Sequence, residues 1–262
     1  MFCCQVPSVA VRAEFSHGSE QISQVLLGET VQCLDFHENW VRIQCAWDEY
    51  TGWVPSKALR EIPDIEEKGL SVLSDYAFVT DHSTNSNLLL SMGSILAPAL
   101  FPNGYSVIRG EIGQIPVNSS EVSNTLIWTI GKDWIGTPYH WGGRSRFGVD
   151  CSGFVQMVMA RIGVQVPRDS RDQLAQAPQK VSIHNQESLK RGQLAFFGPK
   201  PTQINHVGLV LSNDRILHAS GQVRLDHLST QGIHKLQLNQ TDYIEPTTHT
   251  LQALATYVDS SQ

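Results

Sequence analysis

The sequence predicts an α+β chain: two small β-barrels, then a domain of helices followed by antiparallel strands. Three observations carry that reading. Residues 6 to about 60 alternate short β-rich runs with turn residues. Residues 61 to about 115 return to the same texture after an acidic connector. From about residue 120 the pattern turns helical, and strand-like runs come back only near residue 193.

The first barrel is read from Val9–Ala13, Val25–Leu34, Trp40–Cys45 and Thr51–Pro55, with turn chemistry in Asp35–Asn39 and Asp48–Tyr50. The polar connector Glu61–Lys68 opens the second stretch. Leu70–Leu73, Tyr76–Val79, Leu88–Leu96 and Tyr105–Ile108 follow as strands between Asn, Asp, Ser and Pro turns. Val122–Trp134 reads as a helix and Gly136–Val149 as a loop. A mostly apolar, buried helix runs from Cys151 to about Ile162, where Gly163 supplies the stop. Asp169–Ala177 gives a short helix, and Gln193–Phe197, His206–Leu211 and Arg215–Ala219 are strands. The expected domains are residues 1–60, 61–119 and 120–262.

Hydrophobic residues make up 41% of the 262, so each domain can bury a core. No apolar run is long enough to cross a membrane. A net charge of −6 with mixed signs excludes a basic nucleic-acid stripe. The start, Met1-Phe2-Cys3-Cys4-Gln5-Val6-Pro7, lacks the basic and apolar segments of a signal peptide. A reduced, cytoplasmic setting is therefore expected, although a mature exported chain would look the same. Five cysteines, an odd number without disulfide or zinc spacing, fit that setting. Cys33 and Cys45 read as small apolar strand residues, and Cys3-Cys4 as an accident of the terminus. His17, His37, His82, His140, His184, His227, His234 and His249 show no metal spacing and read as surface or loop residues. No metal and no cofactor is expected.

The chemistry gathers at Cys151. It stands between a turn-rich loop and an apolar helix, near the positive end of the helix dipole, which favours a thiolate. His206 and His218 follow in strand-like runs. A cysteine at a helix start with histidines on a later sheet is the layout of a cysteine hydrolase. His206 is the candidate general base. From pattern alone, His218, Asn213 and Asp214 all compete to orient it. The plainer alternatives are a buried helix cysteine and histidines satisfied within a core.

The first segment resembles a bacterial SH3 domain. It has Arg12-Ala13-Glu14 after the first strand, Gly28-Glu29, then Trp40-Val41-Arg42-Ile43, and Gly52-Trp53-Val54 at its close. The second stretch reads as a diverged SH3-like copy. The C-terminal part resembles the NlpC/p60 cysteine peptidases, which cut bacterial cell-wall peptides on a papain-like core. Gly136–Tyr139, Trp141–Gly143, Asp150–Phe154, Pro167–Gln173, Gly192–Phe197, His206–Leu209 and His218–Ser220 carry the likeness in order. With SH3-like segments ahead of it, the chain is similar to the γ-D-glutamyl-L-diamino-acid endopeptidases of murein peptide recycling.

The resemblance implies roles residue by residue. Cys151 is the nucleophile, His206 the base and His218 its orienting group, in preference to Asn213 or Asp214. Tyr139 joins the Cys151 N–H as an oxyanion hole, and Trp141 either walls the cleft or covers the core. Asp169 meets the free amine of an N-terminal L-Ala, Ser152 and Ser170 hold the D-Glu carboxylate, and Glu14 and Tyr50 complete the amine pocket. The plain reading of Glu14 and Asp169 is a solvated surface acid. The implied partner is a small murein peptide, L-Ala-γ-D-Glu-diamino acid. Two readings compete with this one: a non-catalytic cell-wall binding module, and an amidase or acyltransferase on the same fold.

Overall fold

The computed structural model describes residues 1–62, 69–115, 124–236 and 247–258. Most of the acidic connector, the expected boundary at 119/120 and the first two residues of the predicted Val122–Trp134 helix lie outside the described residues. The chain divides into two compact units, Met1–Val117 with His140–Val149, and Asn118–Tyr139 with Asp150–Gln262.

In the first unit, β1 (Phe2–Cys4), β2 (Ser8–Arg12), β3 (Gln21–Leu26), β4 (Thr30–His37), β5 (Trp40–Cys45), β6 (Thr51–Pro55) and β7 (Leu59–Glu61) form one sheet. Every pairing is antiparallel, in the order β3-β2-β6-β5-β4-β1-β7. Alternate side chains turn inward, so Val41, Ile43 and Cys45 of β5 join Val11, Val25 and Val54 in the core of the SH3-like barrel. Cys4 lies in the same core, and Cys3 is fully buried beside it. The Cys3-Cys4 pair is thus a structural strand and not a terminal accident.

The expected single run Val25–Leu34 is broken at Gly28. This residue takes φ +77°, and a Cβ there would lie 2.0 Å from the carbonyl oxygen of Ile95. The turn frees Leu27, whose carbonyl accepts the Ile95 N–H at 2.7 Å. Leu27 packs with Val72, Val79, Leu90 and Phe101 in the second barrel. That diverged SH3-like barrel is built from β8 (Leu70–Val72), β9 (Tyr76–Asp81), β10 (Ser86–Ser91), β11 (Ile95–Leu96), β12 (Tyr105–Arg109) and β13 (Ile112–Gly113). They form two three-stranded sheets, β10-β9-β12 and β11-β8-β13.

The same unit takes in a late loop with a small hairpin, β14 (Arg144–Ser145) and β15 (Gly148–Val149). Arg144 is buried and forks onto Glu29, with both bonds at 3.1 Å. It also donates to the Gln24 carbonyl at 2.8 Å. Arg146 reaches Asp75 at 3.1 Å, so the loop is tied to both barrels.

The second unit contains α1 (Asn124–Lys132), α2 (Cys151–Arg161), α3 (Ser170–Ala175) and a seven-stranded antiparallel sheet. Its strands are β16 (Gln179–Val181), β17 (Leu194–Phe197), β18 (His206–Ser212), β19 (Arg215–Ser220), β20 (Gln222–Ser229), β21 (Gly232–His234) and β22 (His249–Thr256). β22 pairs with both β17 and β21, which closes β17 to β22 into a ring. The ring interior is filled by Phe197, Val210, Ile216, Leu228, Ile233 and Leu251. α2 packs on β18 and β19, and every residue from Cys151 to Met159 is buried. Among the described residues no helix is long and apolar enough to cross a membrane.

Gly28→Ala should destabilise the first unit by about 2 kcal/mol or more, since it adds left-handed strain to a backbone clash. A urea titration would show this as a lower midpoint. An unchanged midpoint would refute the close approach of Gly28 to Ile95.

Candidate active site

The site begins with the cap of α2. Asp150 is the N-cap, and its carboxylate accepts the Gly153 N–H at 2.7 Å. Arg168 locks that carboxylate with bonds of 3.0 and 2.5 Å, and both side chains are almost fully buried. The Ser152 hydroxyl donates to Asp150 at 3.2 Å and accepts from Arg168 at 2.9 Å. Gln173 of α3 donates to the Ser152 carbonyl at 3.0 Å and to that of Pro167 at 2.8 Å. Together these bonds fix the backbone on either side of Cys151.

Cys151 is only 7% exposed. Burial pushes its thiol up to about 12, with Asp150 adding to the effect. Arg168 and bonds from the Val207 and Ser152 backbone pull the other way. Burial therefore outweighs the helix end, and the free site holds a thiol where the sequence argument favoured a thiolate.

The histidines stand at one end of the ring interior. His206 pairs across from Phe197, and His218 is two residues from Ile216 on the same face. Gly208 lies opposite His218 in register, and a Cβ there would come within 2.9 Å of the His218 Cβ. Its bare backbone lets the two rings meet diagonally, with His206 Nε2 and His218 Nδ1 2.8 Å apart. His218 Nε2 in turn lies 3.0 Å from Asp226 Oδ2. Burial, then His218 and His249, drive the His206 imidazole well below its ordinary value. Burial also lowers His218, against the pull of Asp226. Both rings are neutral at neutral pH. Asn213 and Asp214, the rival orienting groups, fall in the β18–β19 turn, where Asp214 bonds Ser212 and Arg215.

His249 is not a surface residue. It is half-buried at the start of β22 and stacks on His206, with centroids 4.2 Å apart and planes at 29°. Its position could not be inferred from spacing, because β22 comes 43 residues after His206 (249 − 206). Asp226 and Arg224 had a fainter signal, two polar residues at strand spacing soon after His218. A polar cavity of about 580 Å³ opens beside these rings, lined by Tyr139, Asn205, His206, Ser220, Thr248 and His249.

The other sequence candidates are placed as follows. Tyr139 is half-buried, and its N–H donates to the Gly221 carbonyl at 2.9 Å. Asp169 is exposed at the head of α3, and Ser170 is buried in its first turn. Trp141 belongs to the first unit, where its indole N–H donates to Glu20 at 2.7 Å. Glu14 is exposed in the turn after β2, and Tyr50 is half-buried just before β6. Among the described residues no group of three or more His, Cys, Asp or Glu side chains is arranged to hold a metal ion.

A buried thiol at a helix start thus stands beside an antiparallel sheet that carries a histidine pair. Residues 136–241 match the NlpC/P60 family, and residues 11–59 match the bacterial dipeptidyl-peptidase SH3 domain. The chain is 28% identical over 215 residues to a γ-D-glutamyl-L-lysine dipeptidyl-peptidase of Bacillus subtilis, covering 75% of this chain and 71% of that protein. A Bacillus cereus protein of the same name is 29% identical over 252 residues, covering 85% and 72%. A solved NlpC/P60 family protein from Bacillus cereus superposes with a TM-score of 0.73 at 20% identity, over 98% of this chain and 99% of that one. The protein thus carries a hydrolytic domain of the NlpC/P60 peptidoglycan endopeptidase family behind SH3-like barrels.

Arg168→Ala should cost about 3–5 kcal/mol, because it leaves the buried Asp150 carboxylate without its counter-charge. A loss within 0.5 kcal/mol of wild type by urea denaturation, a margin of about a surface substitution, would show that the pair does not hold the α2 cap.

Proposed function

We propose that this protein is a cysteine endopeptidase of murein peptide recycling. It hydrolyses the bond from the γ-carboxyl of D-Glu to an L-diamino acid, meso-diaminopimelate or Lys, in peptides with a free N-terminal L-Ala. The observation that carries the reading is the buried Cys151 at the start of α2 together with the 2.8 Å contact of His206 and His218. The choice of bond is supported by two relatives named as γ-D-glutamyl-L-lysine dipeptidyl-peptidases, each matched over more than two thirds of both chains.

In this reading His206 acts through Nδ1, the ring nitrogen that His218 leaves free. It takes the Cys151 proton as Sγ attacks the γ-carbonyl carbon. The developing oxyanion is met by the Cys151 N–H and the Tyr139 hydroxyl. Burial raises the Tyr139 phenol, with Cys151 adding to the effect, so it remains a donor at neutral pH. Collapse breaks the C–N bond, and the departing amine receives the proton from His206. Water then attacks the thioester, giving one proton to His206, which passes it to the leaving Sγ. L-Ala-D-Glu is released and the site is restored. Asp169 is proposed to receive the L-Ala ammonium, and Ser170 the D-Glu carboxylate.

Cys151→Ala should abolish hydrolysis of L-Ala-γ-D-Glu-L-Lys while the protein stays folded by circular dichroism. Turnover near the wild-type rate by that variant would refute the mechanism. Acetylating the substrate amine should lower kcat/KM roughly tenfold or more in the wild type, with little further loss in Asp169→Asn. Equal rates on free and acetylated peptide would overturn the assignment of the amine.

The pH dependence follows from the sign of the His206 shift. The base works only when neutral, and its lowered value keeps it neutral through mildly acidic pH. The acid limb of kcat/KM should therefore lie below the ordinary imidazole value of about 6.5. A limb at or above that value would contradict the buried geometry.

A further inference from the structure

We propose that Asp226 is a positioning residue that sets the tautomers of His218 and His206 in series, leaving the His206 lone pair on Nδ1. The inference rests on the reading of Cys151 and His206 as nucleophile and base.

Asp226 is 2% exposed, on β20. Arg224 pairs directly across from His218, and Asp226 lies diagonal to it on the same face. Its Oδ2 accepts from Arg224 Nε at 2.8 Å and Nη2 at 2.6 Å, and its Oδ1 accepts the Leu236 N–H at 3.0 Å. Burial alone would raise this carboxyl. Bonds from His218, Leu236 and Arg224 outweigh burial and hold it below the usual range, so it is ionised at neutral pH.

An ionised carboxylate only accepts hydrogen bonds. The 3.0 Å contact with His218 therefore requires the proton on His218 Nε2. A neutral imidazole carries one N–H, which leaves His218 Nδ1 as an acceptor. The 2.8 Å contact then requires His206 Nε2 to donate. His206 Nδ1 is left bare, in the form a general base needs. The groups facing the pair are His249 from β22 and Arg224 from β20. Burial, ahead of His218, lowers His249 to about 4, so it is neutral as well. When His206 takes the thiol proton, the new positive charge is linked through His218 to the Asp226 carboxylate.

The first test needs no substitution. Nitrogen-15 spectra of histidine-labelled, full-length wild type at neutral pH should show His206 and His218 both protonated on Nε2. A His218 proton on Nδ1 would overturn the proposal. The second test is Asp226→Asn, read by the rate of Cys151 alkylation with iodoacetamide against pH. Loss of the carboxylate disfavours imidazolium, so the alkylation midpoint should move to higher pH. In the same variant kcat should fall at least tenfold with KM changed less than about twofold. A merely structural Asp226 would lower Tm but leave midpoint, tautomers and kcat in place, and that result would overturn the proposal. Labelling and alkylation need no substrate, so the two readings fail separately. Hydrolysis by Cys151→Ala sinks the parent mechanism, whereas wild-type behaviour of Asp226→Asn sinks only this inference.

Discussion

The ion pair between Asp150 and Arg168 is the contact on which the catalytic half of the molecule depends. One carboxylate caps α2 through the Gly153 N–H, receives a buried guanidinium and takes the Ser152 hydroxyl. A buried carboxylate with one partner missing would be costly. Here its lone pairs are shared among three donors, so the burial that excludes water from Cys151 is tolerated. The same network reaches α3 through Gln173, whose amide bonds the Ser152 and Pro167 carbonyls. Cys151 is thus held through the residues that flank it, and its sulfur takes backbone bonds from Val207 and Ser152.

The histidine side is built on a different principle. Phe197, Val210, Ile216 and Leu228 make an ordinary apolar ring interior. At one end, polar residues occupy the same inward-facing positions: His206, His218, Asp226 and His249. His206, His218 and Asp226 bond one another in series, His249 meets Thr248, and the buried acid is matched by Arg224. Polar groups that bond one another in a low-dielectric setting hold one another rigidly.

Much of this was legible in the sequence because it depended on local pattern. Cys151 announced itself by standing between a turn-rich loop and an apolar helix, and β5, β6, β9 and β18 by their β-rich composition between turns. The break at Gly28 was hidden, since a β-rich run reads through a glycine whose left-handed turn is required only by the distant strand at Ile95. Cys3-Cys4 was misread because a three-residue strand carries too little pattern to stand out beside a terminus. Asp226 and His249 were missed for a third reason. Their roles come from neighbouring strands in a closed ring, and no periodicity along the chain records which strands become neighbours.

The hairpin carried by residues 140–149 bears on the order in which this protein is made. Arg144 completes the first unit, yet it leaves the ribosome 115 residues after the Glu29 it neutralises. At ordinary rates of synthesis that interval is on the order of ten seconds. Through it, Glu29 has only local partners such as the Leu26 N–H, and the Gln24 carbonyl waits for its guanidinium. The amino-terminal barrels are therefore not a finished module when they emerge. A gene fragment ending before codon 140 would encode a domain lacking one of its own pieces. Duplication or exchange of these barrels during evolution must carry that distant hairpin along, or replace the buried acid it answers.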